Sequence, residues 1–196
     1  MKIIGITGPS GSGKSVLTEH LSKKGLPCID ADRVYHSMLI PPSPCLDAIR
    51  KNFGDSVFSP DGTLDRVALG AVVFNDSEKL KLLNSTVLGM VIERIRQTVK
   101  ELESEGHRAV IVDAPTLIES GFNKECDVVI SVIAPVEDRI LRIRVRDGIS
   151  AEKAAERVRA QKDDSFYTEN SDHIIYNSKD MESFTQSIAK IEALIL

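Results

Sequence analysis

The sequence predicts an α/β fold built on a doubly wound parallel sheet, and three observations carry that prediction. Short apolar runs recur at Lys2–Thr7, Ala109–Val112 and Val128–Ile133 without the polar alternation of a half-exposed strand. Strands covered on both faces read this way. Stretches with helical spacing separate the runs, so strand and helix alternate as a parallel sheet requires. The first run also passes through Gly8-Pro9-Ser10-Gly11-Ser12-Gly13-Lys14-Ser15 into Val16-Leu17-Thr18-Glu19-His20-Leu21, which is strand, glycine-rich loop and helix in order. Ligands of such sheets gather at the carboxyl ends of the strands.

The loop fits G-x-x-x-x-G-K-[ST], whose four fixed positions coincide by chance in on the order of one per cent of chains this long. Its glycines let successive N–H groups converge on phosphate oxygens at the positive end of the following helix. Lys14 is expected to reach the β/γ-phosphates and the Ser15 hydroxyl to sit on Mg²⁺.

The chain has 196 residues, 42% hydrophobic and 28% charged, the balance of one ordinary domain that buries about 70% of its unfolded surface. A net charge of −4 with no Lys/Arg-rich block disfavours DNA or RNA as a partner. No apolar run reaches the roughly 18 residues of a membrane span, and the N-terminal apolar stretch is too short for a signal peptide. A cytoplasmic protein is expected. Cys28, Cys45 and Cys126 are widely spaced with no C-x-x-C pair, so buried, reduced thiols are expected rather than disulfides or zinc.

After the first helix, Gly25 marks its end, and a short strand through Cys28 and Ile29 leads into Asp30-Ala31-Asp32. A helix over about 31–39 stops before Pro41, Pro42 and Pro44, since prolines cannot continue it. From Leu46 to Lys100 the periodicity is helical throughout, broken by the turn Ser59-Pro60-Asp61-Gly62, with helices near 65–74 and 77–105. This all-helical third, about 40–105, reads as an insertion between the second and third strands. A short helix or turn is expected at 116–122, helices at 136–147 and 151–161, a last strand at 172–177 and a closing helix at 181–194. No internal repeat interrupts the pattern.

Phosphoryl transfer needs charge neutralisation, alignment and an oriented nucleophile. Asp30 and Asp32 stand at the end of the second strand; they share a side if the strand persists, whereas a helix starting at Ala31 makes Asp30 its cap. Asp32 is the stronger candidate for the base. Asp113 ends an apolar strand, where it could help hold Mg²⁺ through water or cap the following loop. Arg139, Arg142, Arg144 and Arg146 make the 136–147 helix either a phosphate-binding lid or a solvated face, and Arg142 and Arg146 share a side. His36, four residues after Asp32, is expected on the same helical face and so near the substrate. The four histidines show no metal-ligand spacing. Asn123-Lys124-Glu125-Cys126 lacks the aspartate of a guanine-binding N-K-x-D motif.

The run Gly5 to Ser15, Ile29-Asp30-Ala31-Asp32 with His36, Asp61-Gly62-Thr63-Leu64-Asp65-Arg66 with Phe74, Asp113 to Gly121, Arg142 with Arg146-Asp147, Gln161 and Ile175-Tyr176-Asn177 together resemble the dephospho-coenzyme A kinase family. The resemblance spans nearly the whole chain. It departs at Val16, at Leu88-Gly89, at Thr116 and at Asp163, Asp164 and Tyr167, where the family usually has a threonine, His-Pro, a leucine and a basic residue. It implies a five-stranded P-loop kinase core, the helical insertion as acceptor domain, a lid at about 136–165, and transfer of the ATP γ-phosphate, with Mg²⁺, to the ribose 3′-hydroxyl of dephospho-CoA. On this reading Gly8, Gly11, Ser12, Gly13, Lys14, Ser15, Val16, Arg142 and Arg146 bind ATP. Thr7, Asp30, Asp32, His36, Arg66 and Pro115 bind the acceptor, Ser15 and Asp113 serve the metal, and Asp32, Lys14 and Arg142 carry the chemistry. No motif speaks to oligomeric state, and a monomer fits them all. The rival expectations are another small-molecule kinase of the same build and a non-catalytic, nucleotide-dependent regulator.

Overall fold

The computed structural model describes residues 1–73, 76–178 and 180–195. Strands β1 (Lys2–Thr7), β2 (Cys28–Asp30), β3 (Ala109–Asp113), β4 (Val128–Ile133) and β5 (His173–Tyr176) form one sheet in the order β2-β3-β1-β4-β5. β1 pairs in parallel with β3 and β4, and β4 with β5. The order reverses at β1, so the crevice where such sheets bind ligands opens at the carboxyl end of that strand. This is the parallel five-stranded α/β fold expected from the sequence.

The helices are α1 (Lys14–Lys23), α2 (Ala31–Met38), α3 (Pro44–Phe53), α4 (Arg66–Val73), α5 (Ser77–Ser104), α6 (Val136–Asp147), α7 (Ala151–Arg159), α8 (Asp164–Glu169) and α9 (Met181–Ile195). The chain divides into two compact units, residues 1–29 with 102–196 and residues 30–101. In the first, Ile4, Ile6, Ile111 and Ile130 of the sheet pack with Leu17 and Leu21 of α1 and with Phe184, Ile188, Ile191 and Ile195 of α9. Helices at that spacing bury one stripe against a sheet face. The second unit has its own core of Cys45, Leu46, Ile49, Val57, Leu69 and Val73, lined by Leu80, Leu83, Val87 and Met90 from α5.

Caps explain several boundaries. Ser43 caps α3 by accepting from the Cys45 N–H, with Pro44 in the first turn, where its missing N–H costs nothing. Ser150 caps α7, and Asp163 caps α8. The structure adds α8 and two short 3-10 turns, Asp55–Val57 and Phe122–Glu125, to the expected elements. These pieces are too short to show a period. Helix α7 ends at Arg159, two residues before the expected Gln161. Phe74, expected to end α4 and part of the resemblance, lies outside the described residues. Cys28 departs from expectation: it is exposed at the start of β2, while Cys45 is buried and Cys126 half-buried. None of the described helices is long and apolar enough to cross a membrane.

Candidate active site

β1 ends at Thr7, whose hydroxyl donates to the Pro115 carbonyl at 3.2 Å. The chain then turns through Gly8, at φ 141°, and Gly13, at φ 95°, conformations that residues with a Cβ rarely adopt. Space demands glycine at both positions as well. A Cβ on Gly8 would strike the Val132 carbonyl oxygen, and one on Gly13 the Asn177 side-chain amide. Helix α1 begins at Lys14 with no side-chain cap and no acidic residue in its first turn. Its first amides and the positive end of its dipole are therefore left for an anion. The Ser12 hydroxyl is buried with no hydrogen-bond partner, and Ser15 and Val16 are exposed at the start of α1.

Asp113 stands opposite Ile6 in the β1–β3 register, which brings its carboxylate to the loop. One oxygen pairs with Lys14 and the other accepts from the Thr18 hydroxyl at 2.8 Å. Both are oxygen donors of the kind a hard divalent cation takes. Thr18, one turn beyond Lys14, was not foreseen. Among the described residues no cluster of three or more His, Cys, Asp or Glu side chains could hold a metal alone. A cation here would need Ser15, Asp113 and the oxygens of its phosphate ligand, which is the donor chemistry Mg²⁺ prefers.

Three arginines of α6 reach the loop, and they differ in how their charge is met. Arg142 donates to the carbonyls of Gly11 and Ser12 at 3.1 and 3.2 Å and to Asn177 Oδ1 at 3.3 Å. Buried Asn177 in turn donates to the Ser12 carbonyl at 2.7 Å. All of those acceptors are neutral, so none of them offsets the positive charge of Arg142. Arg139 also contacts the loop, through the Ser10 carbonyl at 3.2 Å. Arg146 touches Ser10 Oγ at 3.3 Å but forms an ion pair with Asp147 at 2.7 Å, and Arg157 pairs with the same carboxylate. Hydrogen bonds from Arg146, reinforced by the charges of Arg146 and Arg157, hold Asp147 below the usual carboxylate range. In the sequence Arg139 stands only as one of four arginines on this helix, and Gln161 and Asn177 enter only through the resemblance.

In the second unit, Asp30 is the N-cap of α2, its carboxylate accepting from the Arg33 N–H at 3.0 Å. The strand ends at Asp30 and α2 begins at Ala31, so Asp30 and Asp32 do not share a strand face. Asp32 lies in the first turn of α2, and His36 follows one turn later on the same exposed side. Arg66, at the start of α4, donates to His36 Nδ1 at 3.3 Å. Because guanidinium only donates, that ring nitrogen is the acceptor. Asp32, His36 and Arg66 all belong to this unit, while Lys14, Asp113 and Arg142 belong to the other.

The dephospho-CoA kinase family model matches residues 2–183. A curated dephospho-CoA kinase from Carboxydothermus hydrogenoformans is 36% identical over 191 residues, covering 97% of this chain and 93% of its own. Among solved structures, a Thermus thermophilus protein is similar with a TM-score of 0.82 and 29% identity, covering 100% of this chain and 98% of its own. Dephospho-CoA kinase from Campylobacter jejuni is similar with a TM-score of 0.72 and 28% identity, with the same coverage.

Proposed function

The chain belongs to the dephospho-CoA kinase family, and on that premise we propose how its residues divide the work. It is an ATP-dependent kinase that phosphorylates the ribose 3′-hydroxyl of dephospho-CoA in coenzyme A biosynthesis. The observation that carries this is the uncapped, acid-free start of α1 behind a glycine loop, in a chain matched by the family over residues 2–183.

The loop amides from Gly11 to Ser15 bind the β- and γ-phosphates, with Gly8 and Val16 at its ends. Lys14 leaves Asp113 for the phosphates, and Arg142 offsets charge on the transferring group. Ser15 and Asp113 would hold Mg²⁺, which would supply further neutralisation of phosphate charge. Asp32 orients the 3′-hydroxyl and accepts its proton as the O3′–P bond forms and the bond from the γ-phosphorus to the bridging oxygen breaks, leaving ADP. Arg66, set by His36, holds the acceptor; Thr7 and Pro115 contribute to acceptor binding, and Arg146 steadies the nucleotide from α6. Residues 40–105 form the acceptor-binding insertion and 136–165 the lid. An ATP-consuming enzyme with three free thiols suits the cytoplasm.

A coupled ADP-release assay tests this reading. Turnover that depends on added dephospho-CoA is expected. Background turnover with normal ATP binding would overturn it, and a panel of other alcohols and nucleotides would then show whether another acceptor is used.

A further inference from the structure

Every polar group of Ser10 in the phosphate loop is engaged by side chains from much later in the sequence. Its N–H donates to Gln161 Oε1 at 3.0 Å, its carbonyl accepts from Arg139 Nε at 3.2 Å, and its hydroxyl accepts from Arg146 at 3.3 Å. Arg139 closes the circuit by donating to the same Gln161 oxygen at 2.6 Å. The α6 backbone also crowds the loop here, since a Cβ on Gly11 would meet the Arg139 carbonyl oxygen at 2.8 Å.

Arg139 is 3% exposed, and its hydrogen bonds among the described residues go to neutral oxygens. Burial lowers its pKa, against the longer-range pull of Asp164 and Tyr167. Lys162, between Gln161 and α8, sets its ammonium over the Phe166 ring at 5.4 Å, so the cation bonded to Gln161 is Arg139 of α6. A buried guanidinium without an ion pair is costly unless another charge meets it. This one lies beside a loop built for a polyphosphate.

We propose that Arg139 is a positioning residue for the nucleotide: with Gln161 it fixes the Ser10 peptide, and its charge, which forms no ion pair among the described residues, is met by the bound triphosphate. The proposal rests on the reading of Gly8 to Ser15 as the ATP site.

The test is steady-state kinetics on wild type, Arg139→Ala, Gln161→Ala and the double variant, with direct binding of a fluorescent ATP analogue and thermal melting on the same proteins. Arg139→Ala is expected to raise KM for ATP and weaken analogue binding about tenfold, the scale of a lost charge-assisted contact. KM for dephospho-CoA should stay within about twofold. Gln161→Ala should act in the same direction, and the double variant should match the worse single variant, because both act through one peptide. Nucleotide affinity unchanged within about twofold, or effects that multiply, would overturn the proposal. So would equal losses for both substrates that track a lowered melting temperature. If Arg139→Ala does not fold, Gln161→Ala carries the test: a raised ATP KM with KM for dephospho-CoA held supports the proposal, and unchanged nucleotide affinity overturns it. Absent wild-type turnover of dephospho-CoA would count against the acceptor assignment, while analogue binding would still decide the role of Arg139.

Discussion

The two compact units hold their candidate residues in opposite ways. Around the phosphate loop, Arg139, Arg142, Gln161 and Asn177 bond to backbone groups of Ser10, Gly11 and Ser12, so the site is a shape set in the main chain. In residues 30–101, Asp32, His36 and Arg66 stand on exposed helical positions, and one hydrogen bond joins His36 to Arg66. A triphosphate presents many equivalent oxygens, which a rigid array of N–H groups can match. A single hydroxyl needs one correctly placed side chain instead. If the first unit binds the nucleotide and the second the acceptor, as proposed, the nucleotide half should be sensitive to backbone change and the acceptor half to removal of side chains.

Gly13→Ala probes that contrast with the largest effect. It forces a Cβ into the left-handed region at about 1–2 kcal/mol and displaces the Asn177 amide. ATP KM should rise by about two orders of magnitude. Gly62→Ala, also at positive φ but with nothing near its Cβ, should leave ATP KM unchanged while lowering the melting temperature slightly. Equal ATP KM values for the two variants would break the comparison.

On the acceptor side, Arg66→Ala should raise KM for dephospho-CoA about tenfold with ATP KM unchanged, as expected for one charged contact. A rise confined to ATP would place Arg66 in the wrong half. Asp30→Ala should be smaller and of another kind. It removes a cap worth about 1 kcal/mol, so denaturant unfolding should shift while both KM values hold; a large rise in acceptor KM would restore Asp30 to the binding set.

The smallest effect concerns pH. Asp147 has its folded pKa depressed by Arg146 and Arg157, so its stabilising pairs are intact above the unfolded value of about 3.9. They are lost as pH falls through the folded value. Asp147→Asn should thus lower melting temperature at neutral pH and flatten its decline below about pH 4. An unchanged acid limb would show that these exposed pairs contribute nothing measurable.

Periodicity and turn chemistry made most of the fold legible. β1, β4 and α6 carry the bounds expected, because long apolar or amphipathic runs have a period to read. Helix α8 was missed since six residues show no period, and only Asp163 as a cap could have signalled it. The loop was legible because its glycines and lysine are adjacent in sequence. Its support was not: Asn177 lies 165 positions from Ser12, and nothing local in either segment announces the contact. Arg139, Arg142 and Arg146 look alike in sequence. Only the position of Asp147 and of the loop carbonyls separates an ion-paired arginine from one whose charge is open.

The most direct measurement is kcat with dephospho-CoA for Asp32→Ala, taken alongside its ATP affinity. A fall of about 10²- to 10⁴-fold with ATP affinity unchanged is the result expected of a lost base in the acceptor half. A kcat near that of wild type, or a loss explained by weakened ATP binding, would contradict Asp32 as the group that takes the 3′-hydroxyl proton.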